Sequence, residues 1–169
     1  MSQKDSSVTK TNGLSNTGSR KHGLAPEESI AFIMKGLSRE FVRALERRLS
    51  AHKINVGMWD PLRLLWKEDG QFQHELQKKV GVAQPTLVTA LDRLEKRGFI
   101  TRKRSTKDKR YVNIFLTSSG KKLEKEILHY ADEIQNVAEQ NMTANEHSTL
   151  IKIMQKLHES LGMDEYSNR

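Results

Sequence analysis

The segment spanning residues 84–120 constrains the fold most, because a helical pattern there runs directly into a hairpin pattern. Apolar residues recur at helical spacing in its first half, at Leu87, Leu91 and Leu94. Gly98 follows a lysine and an arginine and is placed to end this helix. Residues 99–105 and 111–116 are rich in strand-forming side chains and predict an antiparallel pair joined by a polar turn.

Both halves of this segment carry polar and largely basic surfaces. The helix face opposite the leucines is small, hydroxylated and basic, which suits contact with base edges in the major groove of DNA. A cationic hairpin tip can straddle phosphates and place an arginine in a narrow minor groove. An exposed, solvated hairpin is the alternative, but the basic helix directly before it favours a DNA-binding surface. The cations of the hairpin surround one carboxylate, that of Asp108, and are Arg102, Lys103, Arg104, Lys107, Lys109 and Arg110.

The charge of the whole chain agrees with a polyanionic partner. The formal net charge is +8 over 169 residues, a length sufficient for one domain with a hydrophobic core. Either nucleic acid or an anionic membrane surface would satisfy this charge alone. No apolar run approaches the roughly twenty residues of a membrane span, and no hydrophobic signal core follows Met1. We therefore expect a soluble, cytoplasmic protein without a membrane partner.

Catalytic and metal chemistry find little support in the residue types present. The chain has no cysteine, which excludes disulfides and thiolate chemistry. Its six histidines show no paired ligand spacing. There is no glycine-rich phosphate loop and no nucleophile motif. We expect no enzyme activity, no catalytic residue, no cofactor and no metal.

The stretch before residue 84 completes a helix-turn-helix pattern. The apolar periodicity after Pro26 predicts a first helix, and a second follows with Pro61 expected in its first turn. Residues 72–82 predict a short helix that is joined through Gly81 to the helix beginning at Gln84. With the basic hairpin behind it, this pair predicts a winged helix-turn-helix. The expected fold class is mainly α with a small β-hairpin wing.

The remaining helices predict a dimer. Thr117 can cap a long helix whose apolar residues step by four and three, as in a coiled-coil seam, and Thr143 with Glu146 forms a capping box for the last helix. Packing within one monomer is the alternative. Two-fold symmetry would add a second DNA half-site about 34 Å away. The expected dimer interface comprises Leu123, Ile127, Tyr130, Ile134, Val137, Met154, Leu157 and Leu161.

These patterns divide the chain into five parts. The first is polar and basic, with too few apolar residues to offset the entropy of ordering. The expected parts are a disordered basic tail at 1–25, the N-terminal helix of a dimerisation region at 26–54, a winged helix-turn-helix DNA-binding domain at 55–116, C-terminal dimerisation helices at 117–162 and a flexible tail at 163–169.

Two runs of residues resemble the MarR family of bacterial transcriptional regulators. The hairpin and the residues after it match the family's wing signature D-x-R-x-x-x-(V/I)-x-L-T-x-x-G, at Asp108, Arg110, Ile114, Leu116, Thr117 and Gly120. The run from Leu94 to Ile100 resembles the L-E-x-x-G-(L/F)-(I/V) pattern that ends the family's recognition helix. The resemblance covers the chain from about Pro26 to Leu161.

The resemblance implies a homodimer that binds a pseudo-palindromic operator on double-stranded DNA and is released by a small ligand. Arg110 would be the wing residue in the minor groove, and Asp108 would hold the hairpin tip or orient Arg110. It also implies a bacterial, nucleoid-associated location. Thr86, Thr89 and Arg93 are the base-reading candidates. The full set of expected DNA-binding residues is Gln84, Pro85, Thr86, Thr89, Arg93, Lys96, Arg104, Lys107, Asp108, Lys109 and Arg110.

The family's effectors are frequently aromatic acids or their coenzyme A thioesters, held between the dimerisation helices and the DNA-binding core. Rings and a guanidinium on the second helix could line such a pocket. Ordinary core packing or solvation is the alternative for each residue. The expected ligand-binding residues are Met34, His52, Trp59, Arg63 and Trp66.

Three functional hypotheses follow. The first is a ligand-responsive repressor that reads a specific DNA sequence. The second is a global, architectural protein that coats or bends A·T-rich DNA with little effector response. The third, a helical adaptor that binds no DNA, would require the basic wing to be incidental. Specific and architectural binding differ in specificity ratio and salt dependence.

Overall fold

A computed structural model describes residues 25–106 and 108–162. The two expected tails, apart from Ala25, and Lys107 in the wing lie outside the described residues. A short 3-10 helix, Pro26–Glu28, comes first. The elements after it are α1 (Ile30–Leu49), α2 (Val56–Lys67), α3 (Gln73–Val80), α4 (Gln84–Lys96), β1 (Ile100–Arg104), β2 (Val112–Leu116), α5 (Ser118–Ile127), α6 (His129–Glu139) and α7 (Ala144–Gly162), with a second 3-10 turn at Ser50–His52. This order confirms the expected fold class, mainly α with a β-hairpin wing.

The chain divides into two compact units, with the boundary inside α1 between Arg39 and Glu40. In the first unit, the Ser29 hydroxyl accepts a hydrogen bond from the amide of Phe32 at the start of α1 (3.3 Å). Among the described residues of this unit, five large apolar side chains are exposed, and they are Ile30, Phe32, Ile33, Met34 and Leu37.

The core of the second unit is formed by α2, α3, α4, the hairpin and α5. Strands β1 and β2 are antiparallel, with Ile100 opposite Leu116 and Arg104 opposite Val112. Phe72 adds a single bridge to Asn113, which joins the hairpin to the start of α3. The side chains that meet in this core are fully buried and include Leu62, Leu65, Leu76, Leu87, Leu91, Leu94, Ile114 and Ile127.

The junction after the hairpin explains why Thr117 and Gly120 occur where they do. The Thr117 hydroxyl donates to the carbonyl of Gly98 (2.6 Å) and accepts from the amide of Gly120 (3.1 Å), so it links the end of α4 to the start of α5. A Cβ at position 120 would collide with the backbone carbonyl of Phe99. The Gly120 carbonyl in turn accepts the indole N–H of Trp66 (2.9 Å). Only glycine, which has no Cβ, allows the backbone at position 120 to lie this close to the carbonyl of Phe99.

Two local expectations were wrong. Pro61 lies in the interior of α2, because the helix begins at Val56. Its missing N–H leaves the carbonyl of Gly57 without its usual helical partner. The long helix expected after Thr117 is divided at Leu128. Leu128 keeps helical backbone angles, but its carbonyl accepts from the amide of Ala131, three residues on, which tightens the turn locally.

Candidate nucleic-acid interface

Helix α4 presents one exposed polar side. Ala83 precedes the helix with extended backbone angles, and Pro85 occupies its first turn, where a missing N–H costs nothing. The Thr89 hydroxyl donates to the carbonyl of Pro85 (2.9 Å), which fixes its direction. The structure thus brings six expected DNA-binding residues onto exposed positions of one helix, namely Gln84, Pro85, Thr86, Thr89, Arg93 and Lys96.

An ion-pair cluster fastens the hairpin to this helix. The guanidinium of Arg102 on β1 donates to the Asp92 carboxylate at 2.6 Å and to the Glu95 carboxylate at 3.0 Å. The backbone amide of Arg102 also donates to Glu95 (3.0 Å). Only 22% of the Arg102 side chain is exposed. Arg102 therefore holds the wing against α4, and its charge is not part of the free cationic surface.

At the wing tip, Asp108 holds Arg110. The Asp108 carboxylate accepts from the backbone amide (3.0 Å), from Nε (3.1 Å) and from Nη2 (2.7 Å) of Arg110. These hydrogen bonds, chiefly those from the side chain, lower the pKa of Asp108 and raise the pKa of Arg110. The Arg110 side chain nevertheless remains 83% exposed. The carboxylate therefore orients a guanidinium that stays open to a partner.

Three rings brace the base of the wing. Phe72 and His74 stack with centroids 5.6 Å apart, and the Tyr111 ring lies 5.7 Å from Phe72 and 5.0 Å from His74. The Asn113 amide adds a hydrogen bond to the carbonyl of Gly70 (2.8 Å). The wing is therefore held both to α4 and to the start of α3.

A groove of about 280 Å³ runs between α3, the start of α4 and the wing, and it contains residues that sequence reasoning missed. Gln73, His74 and Gln77 on α3 line it together with Gln84 and Arg110. The sequence feature that could have identified Gln73, His74 and Gln77 is the polar outer side of α3, the first helix of the helix-turn-helix. Arg102 was expected among the cations of the hairpin, and its pairing with Asp92 and Glu95 on α4 becomes visible only when the hairpin is folded back.

The remaining cations divide into tethered and open ones. The Arg97 guanidinium donates to the carbonyls of His52 (2.8 Å) and Lys53, so it ties the end of α4 to the turn after α1. Arg104 and Lys109 are exposed, at the end of β1 and in the wing turn. With Arg93, Lys96 and Arg110 they make an open cationic surface across α4 and the wing. This arrangement suits contact with phosphates and groove edges.

The expected ligand-binding residues do not all meet. Trp59 and Arg63 line one cavity of about 470 Å³. Trp66 packs edge-on against Trp59, and its indole N–H is taken by Gly120. His52 lines a different groove, and its ring nitrogen lies 3.3 Å from the Tyr130 hydroxyl. Met34 belongs to the first unit and is exposed.

The expected dimer residues also separate into two groups. Leu123, Ile127 and Ile134 are buried within the single chain, and Tyr130 packs partly buried against the same core. Because they contact their own chain, the buried positions leave no surface for a second copy. Residues further along are more open: Leu157 is half-buried, and the exposed ones are Val137, Met154 and Leu161.

Among the described residues, no group of three or more histidine, aspartate or glutamate side chains is placed to hold a metal ion. None of the helices in the described ranges is both long and apolar enough to cross a bilayer.

Comparison with known proteins connects this geometry to a family. The MarR family model matches residues 54–112, which run from the turn before α2 into β2. The HTH-type transcriptional regulator TtmR of Methylorubrum extorquens is 31% identical over 97 residues, which cover 57% of this chain and about half, 50%, of that relative. The organic hydroperoxide resistance transcriptional regulator of Bacillus subtilis is 29% identical over 115 residues, 68% of this chain and 78% of the relative.

A solved structure shares the fold. The crystal structure of the S. aureus MepR–DNA complex superposes with a TM-score of 0.74 at 24% identity, and the match covers 78% of this chain and 98% of MepR. At that identity the likeness concerns the fold alone. The family model concerns the sequence itself, and its match covers α2, the helix-turn-helix and the wing as far as the start of β2. Residues 54–112, which hold the helix-turn-helix and most of the wing, are therefore similar to the MarR family, and both relatives are called transcriptional regulators.

Proposed function

We propose that this protein is a dimeric, sequence-specific DNA-binding repressor whose affinity for its operator is reduced by a small ligand. One observation carries the DNA-binding part. The exposed side of α4 and the wing that carries Arg110 form one surface, because Arg102 on β1 bonds to both Asp92 and Glu95 on α4. A helix and a wing held at a set spacing can enter adjacent grooves together.

Each element would have a distinct role on DNA. Helix α4 would lie in the major groove, where Thr86, Thr89 and Arg93 would read base edges. Gln84 and Lys96 would contact phosphates and set the register. The wing would place Arg110 in the minor groove. Arg104 and Lys109 would add phosphate contacts, as would Lys107, which lies outside the described residues.

A second copy would cover α7. This helix has nineteen residues and buries none of them in the single chain, although several are apolar. The exposed ones are Leu150, Ile151, Ile153, Met154 and Leu161. Burial of these side chains between two copies would remove apolar surface from water and create a two-fold axis. The two wings and helices would then contact two half-sites. Parts 26–54 and 117–162 would form the dimerisation region.

The cavity beside Trp59 is the proposed effector site. It lies between the second half of α1, α2 and α6, so it joins the helix-turn-helix to the helices proposed for dimerisation. A ligand bound there would change the packing of α2 against α6. The distance between the α4 helices of the two copies would then change as well. The names of the two relatives support the regulatory role, since both proteins are called transcriptional regulators. Such a protein would act on the bacterial nucleoid in the cytoplasm.

Binding to the DNA upstream of its own gene tests the proposal. Fluorescence anisotropy in about 0.15 M salt with excess random competitor separates specific from nonspecific complexes. Survival of the complex against competitor is the expected result. Equal binding to random DNA, with affinity that tracks salt alone, would contradict sequence-specific repression and favour the architectural alternative.

A further inference from the structure

The proposed effector cavity has an apolar wall and a small number of charged groups. Phe41 and Leu45 from α1, Trp59 from α2 and Ile134 from α6 supply the apolar surface. Its volume of about 470 Å³ falls in the range of sites that bind small molecules. The ligand class is therefore decided by the charges.

More negative than positive side chains line the cavity. Asp60 on α2 and Asp132 on α6 face the cavity, with Arg63 as the only cation among its lining residues. Arg48 on α1, close by in the fold, is already paired with Glu133 on α6 at 2.9 Å. The lining groups thus sum to one net negative charge, although the chain as a whole carries +8. The cavity is a local reversal of the protein's overall field.

Among the described residues, the carboxylate of Asp60 takes part in no hydrogen bond and in no ion pair within 4 Å. Arg63, which also lines the cavity, acts on it through its charge alone. Burial raises the pKa of Asp60, and the positive charge of Arg63 offsets only part of that effect. A partly desolvated carboxylate without a donor gains most from a cation brought next to it.

The cavity already holds a cation in one place. The guanidinium of Arg63 lies over the Trp59 ring, 5.8 Å from its centroid. Trp59 is only 2% exposed and belongs to the hydrophobic core, and it also lines the wall of the cavity. The Arg63 side chain is exposed, and because it is long and flexible a ligand could displace it. The protein thus fills the cation site on Trp59 with its own side chain.

From this geometry we infer that the cavity selects a hydrophobic cation, such as an aromatic or quaternary amine, with its positive charge between the Trp59 ring and the Asp60 carboxylate. An aromatic acid would add a third negative charge beside Asp60 and Asp132 and find one guanidinium already engaged. The inference deepens the proposed function by naming the effector class. It differs from the aromatic acids that the family resemblance implied.

Two ions of nearly the same shape and opposite charge test the selectivity. Tetraphenylphosphonium and tetraphenylborate would be titrated into the full-length protein without DNA, followed by tryptophan fluorescence. The chain has two tryptophans, Trp59 in the cavity and Trp66 against it, so the signal reports this region. Nonspecific binding to a chain of charge +8 favours the anion. We expect the cation to bind at least about tenfold more tightly. Equal or tighter binding of the anion would overturn the inference.

Two substitutions in the cavity should change its affinity for the cation in opposite directions. Asp60→Asn should weaken cation binding by about fivefold or more, because it removes the facing charge. Arg63→Gln should tighten it, because it vacates the Trp59 ring and removes a like charge. Glu159→Gln, which changes an exposed carboxylate on α7, is the matched control and should leave binding unchanged. Loss of cation binding in Arg63→Gln would contradict the inference even if Asp60→Asn failed to fold.

A separate experiment tests whether the bound cation also changes DNA binding. The anisotropy of a DNA complex would be measured with and without the phosphonium ion. Release of DNA by the cation, and not in Asp60→Asn, would support a cationic effector. Cation-selective binding with unchanged DNA affinity would support the selectivity of the cavity and overturn its effector role. A protein that bound no specific DNA would refute the proposed function while the fluorescence titration still decided the ligand class.

Discussion

The guanidinium of Arg102 and the carboxylate of Asp92 meet at 2.6 Å across the junction between the wing and α4. Glu95, one helical turn further on, accepts from the same nitrogen and from the Arg102 backbone amide. A hairpin attached only at its two chain ends would swing relative to the helix. This pair joins the hairpin to α4, and the Phe72–Asn113 bridge and the hydrogen bond from Asn113 to Gly70 join it to the start of α3.

We predict that Arg102→Ala lowers the free energy of unfolding by about 1–3 kcal/mol, because two carboxylates lose a charged donor. Urea denaturation measures this loss. Lys109→Ala, in the exposed wing turn, is the control and should change stability by less than about 0.5 kcal/mol. A double-mutant cycle with Asp92→Asn should show coupling. Additive effects of the two changes would contradict a direct interaction.

Arg110→Ala should weaken DNA binding by about 1–3 kcal/mol and make the salt dependence shallower. Its side chain is 83% exposed, so the midpoint of urea unfolding should change little. Arg110→Lys keeps the charge and loses the planar fork, and it should recover only part of the affinity. A folded Arg110→Ala protein that binds DNA as tightly as the wild type would remove the wing from the proposed interface.

Asp60→Asn should raise the thermal midpoint at neutral pH. A carboxyl whose pKa is raised in the folded state makes its favourable contribution only when protonated, and loses it as pH rises through the folded pKa. The ionised group therefore costs stability near pH 7. The advantage of the variant should shrink as pH falls toward about 4, the ordinary range for an aspartate. Scanning calorimetry at several pH values checks this, and an advantage independent of pH would point to a cause other than ionisation.

Met154→Glu on α7 should produce monomers, because a charge would be buried in the proposed interface between copies. Lys152→Glu, two residues away on a different side of the helix, is the matched control and should remain dimeric. Sedimentation velocity distinguishes the two. The monomeric variant should bind DNA more weakly, since it reaches one half-site. A dimer in both variants would place the interface elsewhere.

The order of elements was predictable because local signals agreed along α4 and the hairpin. The leucine spacing defined the buried side of the helix, and Gly98 ends it with a positive φ of 73°. The capping box was also predictable from two residues. Thr143 and Glu146 bond each other's backbone amides at 3.3 and 2.8 Å, which lowers the pKa of Glu146.

The partners of side chains were harder to predict. An apolar stripe such as Leu123 and Ile127 has the same spacing whether it packs on its own chain or on a second copy, and here both residues are buried in their own chain. A run of cations likewise does not reveal which one is paired. Arg102 looked like its neighbours in sequence, and only the fold of the hairpin onto α4 brings Asp92 to it. The division of the long helix at Leu128 has no proline or glycine to signal it.

Selection of binding sites from a random DNA pool measures whether α4 and the wing recognise one DNA sequence. The full-length protein would be incubated with the pool in about 0.15 M salt, and bound DNA would be recovered and sequenced over several rounds. We expect enrichment of one motif with two-fold symmetry and half-sites about ten base pairs apart, and loss of this enrichment when Arg93 and Arg110 are replaced by alanine. A pool that stays random in sequence, or is enriched only in A·T content, would contradict sequence-specific recognition by α4 and the wing.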